Sequence, residues 1–96
     1  MRRTCYPVFI DRQVTIQNKL GLHARPAMQF VDVANGFGSA IKVCKGDQTV
    51  DGKSIMQMMM LAASKGSQLE ITATGEQAEK ACLALKALVD GGFEED

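Results

Sequence analysis

Across one glycine, Gly75, the sequence changes period, and that change restricts the fold more than any other feature. Before it, Leu69-Glu70-Ile71-Thr72-Ala73-Thr74 alternates apolar and polar residues, the pattern of a strand with one buried face. After it, Ala78, Ala81, Cys82, Leu85, Leu88 and Val89 recur three and four residues apart, one stripe of a helix. Glu76 and Glu79 lie near that helix's positive end, and Gly91-Gly92 stops it.

The same two periods divide the rest of the chain. Gln13 to Gln17 alternates as a first strand, and Gly21 turns the chain after it. Ala27, Phe30, Val31 and Ala34 form a helical stripe that Asn35-Gly36 terminates. Ile41-Lys42-Val43 and Gln48 to Val50 read as a hairpin around Lys45-Gly46-Asp47. Ser54-Ile55-Met56-Gln57 matches a capping box: the serine accepts from the Gln57 amide and the Gln57 side chain reaches back to the serine amide. The short helix it starts is expected to end near Lys65-Gly66. The order β-α-β-β-α-β-α with amphipathic strands implies an α/β (α+β) open-faced sandwich, a mostly antiparallel sheet covered by helices on one face.

With 96 residues there is room for one domain with a modest core. Eleven basic residues balance eleven acidic ones, which argues against a bulk electrostatic nucleic-acid binder. No apolar run approaches the ~20 residues that span a bilayer, and no long apolar segment follows Met1-Arg2-Arg3, so a cytoplasmic protein without membrane insertion is expected. Cys5, Cys44 and Cys82 are odd in number and widely spaced, which favours reduced thiols over disulfides or a zinc site, with Cys44 and Cys82 as small apolar residues.

The sole histidine, His23, falls where the first strand gives way to the first helix. Pro26 is tolerated in a first helical turn, so His23 is placed near the N-cap with the amides of Ala24 and Arg25 beside it. Such an end attracts anions, and the Arg25 guanidinium can grip a phosphate by two hydrogen bonds. Position alone leaves two readings open: an exposed or capping histidine, or a neutral nucleophile that accepts a phosphoryl group. Ser54 is likewise either a cap alone or a modification site. Ile55, Met56, Met58, Met59, Met60 and Leu61 cannot all face one core, so Met58 and Leu61 are assigned to it and Ile55, Met56 and Met59 to an exposed patch.

Asn18-Lys19-Leu20-Gly21-Leu22-His23-Ala24-Arg25-Pro26-Ala27, with Lys53-Ser54-Ile55-Met56 and Lys65-Gly66-Ser67, resembles the HPr family of histidine-containing phosphocarriers. The resemblance covers roughly residues 13–93, leaving residues 1–12 as an N-terminal extension, in which Tyr6 to Ile10 is apolar enough to lengthen the first strand or pack on a sheet edge, and 94–96 as an acidic tail. It implies strand order 1-4-2-3 with three helices on one face. It implies a covalent phosphoryl carrier rather than a turnover enzyme, monomeric and without metal or organic cofactor. The phosphoryl group would come from Enzyme I, ultimately from phosphoenolpyruvate, to the Nδ1 atom of His23 with help from Arg25, and pass to IIA-type proteins. Ser54 matches the serine that HPr kinase/phosphorylase modifies, and Ile55, Met56 and Met59, extended by Met28, match the docking surface for these partners.

Some residues lean within the family. Asn18-Lys19-Leu20-Gly21 and the ending Gly92-Phe93-Glu94-Glu95-Asp96 resemble NPr, the HPr of the nitrogen-related branch, while Lys53-Ser54-Ile55-Met56 resembles serine-regulated HPr. Asp32 stands where some sugar-transport HPr proteins have lysine, weakening attraction to an acidic partner. The alternative function is a regulatory binding module controlled at Ser54.

Overall fold

Alternation puts Val14 and Ile16, Ile41 and Val43, and Leu69, Ile71 and Ala73 on the same side of their strands, and the fold buries that side. The computed structural model describes residues 9–94. Four strands, β1 (Phe9–Thr15), β2 (Ala40–Lys45), β3 (Gln48–Asp51) and β4 (Gln68–Thr74), form one sheet in the order β1-β4-β2-β3. Every pairing is antiparallel, with Val14 opposite Leu69, Val43 opposite Ile71 and Val43 opposite Val50. The helices α1 (Ala24–Asn35), α2 (Ile55–Met60) and α3 (Ala78–Asp90) cover the buried face, and a short 3-10 turn, Gly92–Glu94, closes the described chain. The expected element order and strand order are both present.

The helical stripes meet the sheet where their periods require. Ala27, Phe30, Val31 and Ala34 of α1 and Ala78, Ala81, Cys82, Leu85 and Val89 of α3 are buried, while Leu88 is half-buried at the margin. Gly52 sits so close to the core that an added Cβ would lie 2.6 Å from Ile41 Cγ2, and its amide donates to the Ile41 carbonyl at 2.8 Å. The turn that leads into α2 is thereby pressed onto β2.

Four expectations change. The first strand begins at Phe9, so residues 9–12 of the expected extension belong to the sheet. Arg12 occupies an inward position, half-buried, and interrupts the apolar alternation between Ile10 and Val14. Second, α2 ends at Met60 rather than near Lys65-Gly66. Ala62 adopts a left-handed φ of 51°, and Ala63 turns its carbonyl to the Leu22 amide instead of along the helix. Third, the capping box is half-formed. Ser54 Oγ accepts from the Gln57 amide at 3.3 Å, but Gln57 Oε1 accepts from the Asp51 amide at 2.9 Å. The Ser54 amide instead donates to the Asp51 carbonyl at 3.1 Å. Fourth, Cys44 faces the open side of the sheet, partly exposed, with Sγ 3.2 Å from Thr49 Oγ1. Cys82 is a core residue as expected. Cys5, the remainder of the extension and Glu95-Asp96 of the acidic tail lie outside the described residues. Among the described residues no helix is long and apolar enough to cross a membrane.

Candidate phosphoryl-acceptor site

His23 is the N-cap of α1, with extended backbone angles (φ −85°, ψ −168°) that swing the chain out of the β1–α1 loop. Its carbonyl accepts from the Ala27 amide at 3.0 Å, the first bond of the helix, while its side chain makes no capping hydrogen bond and is half-buried. A helix leaves its first-turn amides without intrahelical acceptors. Here Pro26 occupies the third helical position and carries no N–H. The open donors at this end are therefore the amides of Ala24 and Arg25, both exposed residues. The Arg25 side chain leaves from the same turn into solvent. No acidic residue lies in the first turn, so nothing there competes with an incoming anion for the partial positive charge.

The loop that presents His23 is held from beneath. Asn18 is buried and its Nδ2 donates to the Gly21 carbonyl at 2.6 Å. Gly21 has φ +71°, a conformation that L side chains rarely adopt. The Leu22 amide donates to Ala63 at 2.8 Å, and the Ile16 amide to Ser67 at 2.9 Å. The Gly66 amide returns to Ile16 at 2.9 Å. Residues 61–67 thus form a strap of backbone against which the His23 loop is set.

On α2, Met58 and Leu61 are buried while Ile55, Met56 and Met59 are exposed, together with Met28 on α1, which packs beside α2. Leu20 (73% exposed), in the loop before His23, and Met60 (66%), at the end of α2, are exposed apolar residues as well. Met60 carries the signal of the methionine run. Leu20 is a single apolar residue in a loop, and only its exposure reveals it. Ser54 lies at the N-cap of α2, half-buried beside Ile55.

A hydrogen bond with Asp11, and then the charge of that carboxylate, raises the pKa of Glu70 on the open face of the sheet. Burial pushes the Cys82 thiol up, keeping it protonated and inert.

A family model described as the PTS HPr component phosphorylation site matches residues 10–90. The chain belongs to the HPr family. It is 51% identical over 85 residues to the phosphocarrier protein HPr of Pseudomonas putida, covering 88% of this chain and 94% of that protein. It is 40% identical over 88 residues to the phosphocarrier protein NPr of Escherichia coli K12, covering 91% and 98%. A crystal structure of HPr-C-His from Thermoanaerobacter tengcongensis superposes with a TM-score of 0.87 at 41% identity, covering 91% of this chain and 98% of that one. As an HPr-family protein the chain is a phosphocarrier of the phosphotransferase system, and the matched span begins within β1, consistent with a strand longer than its alternation indicates.

Proposed function

We propose that this protein carries a phosphoryl group on His23, accepting it from phospho-Enzyme I and passing it to a IIA-type protein of a sugar or nitrogen-related phosphotransferase system in the cytoplasm. The observation that carries the reading is a histidine at the N-cap of a helix whose first turn offers the Ala24 and Arg25 amides and the Arg25 guanidinium. In the forward step the unprotonated Nδ1 lone pair of His23 forms a bond to phosphorus as the donor's bond to phosphorus breaks, the electron pair returning to the donor. Charge spreads over the phosphoryl oxygens in the transition state, and the amide donors with Arg25 stabilise it. The same site runs in reverse toward the acceptor.

The reading is tested by intact mass after incubation with phosphoenolpyruvate, magnesium and Enzyme I. One added phosphoryl group that mild acid removes is expected. No added group, with an Enzyme I proven active on another HPr, overturns the reading. Arg25→Ala is expected to slow acceptance about 10- to 100-fold, because a charge-stabilising donor is lost while the fold is untouched. Equal rates in rapid-quench measurements would reduce Arg25 to a surface residue.

Docking in this reading uses Met28, Ile55, Met56 and Met59, whose flexible thioethers suit a surface that receives more than one partner. Ser54 phosphorylation by an HPr kinase/phosphorylase would place about −1.5 to −2 charge at the rim of that surface. The variant Ser54→Asp separates this role from capping, since aspartate is also a good N-cap and preserves α2. It is expected to weaken Enzyme I binding about tenfold through repulsion and desolvation, with little change in melting temperature. Unaltered affinity in titration calorimetry would leave Ser54 as a cap only.

A further inference from the structure

The alternation of β2 places Ile41 and Val43 toward the helices, and the next inward position is Lys45. A lysine where the pattern calls for an apolar residue violates the strand's own rule, and such exceptions call for a compensating contact. Lys45 is half-buried and its Nζ donates to the Leu61 carbonyl at 3.1 Å. That carbonyl stands at the C-cap of α2, immediately before Ala62 takes its left-handed φ of 51° and the chain leaves the helix. One residue further, the Ala63 carbonyl receives the Leu22 amide at 2.8 Å, and Leu22 precedes His23. Gly21 lies so close to the same carbonyl that an added Cβ would sit 2.4 Å from the Ala63 oxygen.

We propose that Lys45 is a positioning residue for the phosphoryl-acceptor loop: its ammonium anchors the start of the 61–67 strap, and the Ala63 carbonyl of that strap sets the backbone that presents His23. The proposal rests on the reading of His23 as the acceptor. An ammonium at the C-terminal end of a helix is favoured by the partial negative charge of the last carbonyls, and its methylene stem covers apolar surface on the way. Releasing it frees the helix exit to rotate about Ala62, a residue in a strained conformation, and Ala63 moves with it. Lys45 acts through the loop and not on phosphorus.

Amide hydrogen exchange and rapid-quench phosphoryl transfer on the full chain test this, comparing wild type with Lys45→Met and Lys45→Arg. In Lys45→Met the Leu22 amide is expected to exchange about tenfold faster, the scale of one lost charged hydrogen bond, while the Ile71 and Leu85 amides keep their protection. Transfer to His23 at saturating carrier is expected to slow several-fold with KM unchanged, and Lys45→Arg is expected to restore both. Unchanged Leu22 protection overturns the anchoring. A uniform loss of protection that includes Ile71 and Leu85 assigns Lys45 to stability and overturns its positioning role. Faster Leu22 exchange with an unchanged transfer rate does so too. If the wild type itself accepts no phosphoryl group, the reading of His23 fails, and the exchange comparison still decides whether Lys45 holds the loop.

Discussion

His23→Ala is expected to take up no phosphoryl group from Enzyme I while melting within a few degrees of wild type. The two halves of that result have separate causes. Chemistry is lost because a methyl group has no lone pair to form the bond to phosphorus, and no neighbouring residue replaces it: the chain contains one histidine. Stability is kept because the imidazole makes no capping hydrogen bond to α1 and is only half-buried. The backbone bond from Ala27 to residue 23 survives the change. Substitutions outside the core that leave the backbone hydrogen bonds in place shift stability by within about 0.5 kcal/mol, or roughly 4 °C for a domain of this size. Mass spectrometry after incubation with phosphoenolpyruvate and Enzyme I, beside a thermal melt, checks both halves. An acid-labile group on His23→Ala would move the acceptor elsewhere. A melt lower by 15 °C would make the loss of acceptance a folding effect.

How far these expectations could be read from sequence depends on whether side chains or backbone carry the information. The strand–helix change at Gly75 is written in side chains, and β4 and α3 are found where the two periods place them. The motif around His23 is also written in side chains, because Pro26 can stand only in the first turn and thereby locates the N-cap. The errors fall where backbone or a single polar residue decides. Apolar Leu61 and Ala63 continue the look of a helix past Met60, yet the Leu22 amide takes the Ala63 carbonyl and the helix stops. Gln57 has the right spacing for a reciprocal cap, but the Asp51 amide claims its oxygen. Arg12 and Lys45 stand at inward positions of their strands, where the alternation rule reads them as breaks. The strap beneath the His23 loop shows itself in the sequence only through Lys65-Gly66-Ser67, and nothing in those residues tells which backbone groups it presents to the loop. Its contacts run through the carbonyls of Ala63 and Ser67 and the amide of Gly66, groups that every residue but proline could offer.

That strap makes Gly21→Ala the most damaging of the small substitutions. A residue other than glycine held at φ +71° costs about 1–2 kcal/mol in backbone sterics. The new methyl would also lie 2.4 Å from the Ala63 oxygen and 2.8 Å from Ser64 Cα, distances that side chains essentially never tolerate and that backbone cannot yield without moving a loop. Separating the two loops would break the Leu22–Ala63 hydrogen bond, worth about 1 kcal/mol net. Together these come to about 3 kcal/mol, a large part of the 5–15 kcal/mol that holds such a domain, and a fall of about 15 °C in melting temperature. Transfer to His23 is expected to suffer beyond the loss of folded protein, because the displaced segment is the one that presents the imidazole. Assays well below the melting point, where the variant is folded, isolate that second effect. A several-fold slower transfer there means that the loop's position matters to the chemistry. A normal rate with a lowered melt would confine Gly21 to stability. A variant with both the wild-type melt and the wild-type rate would show that the close approach of residues 21 and 63 is not a constraint in solution.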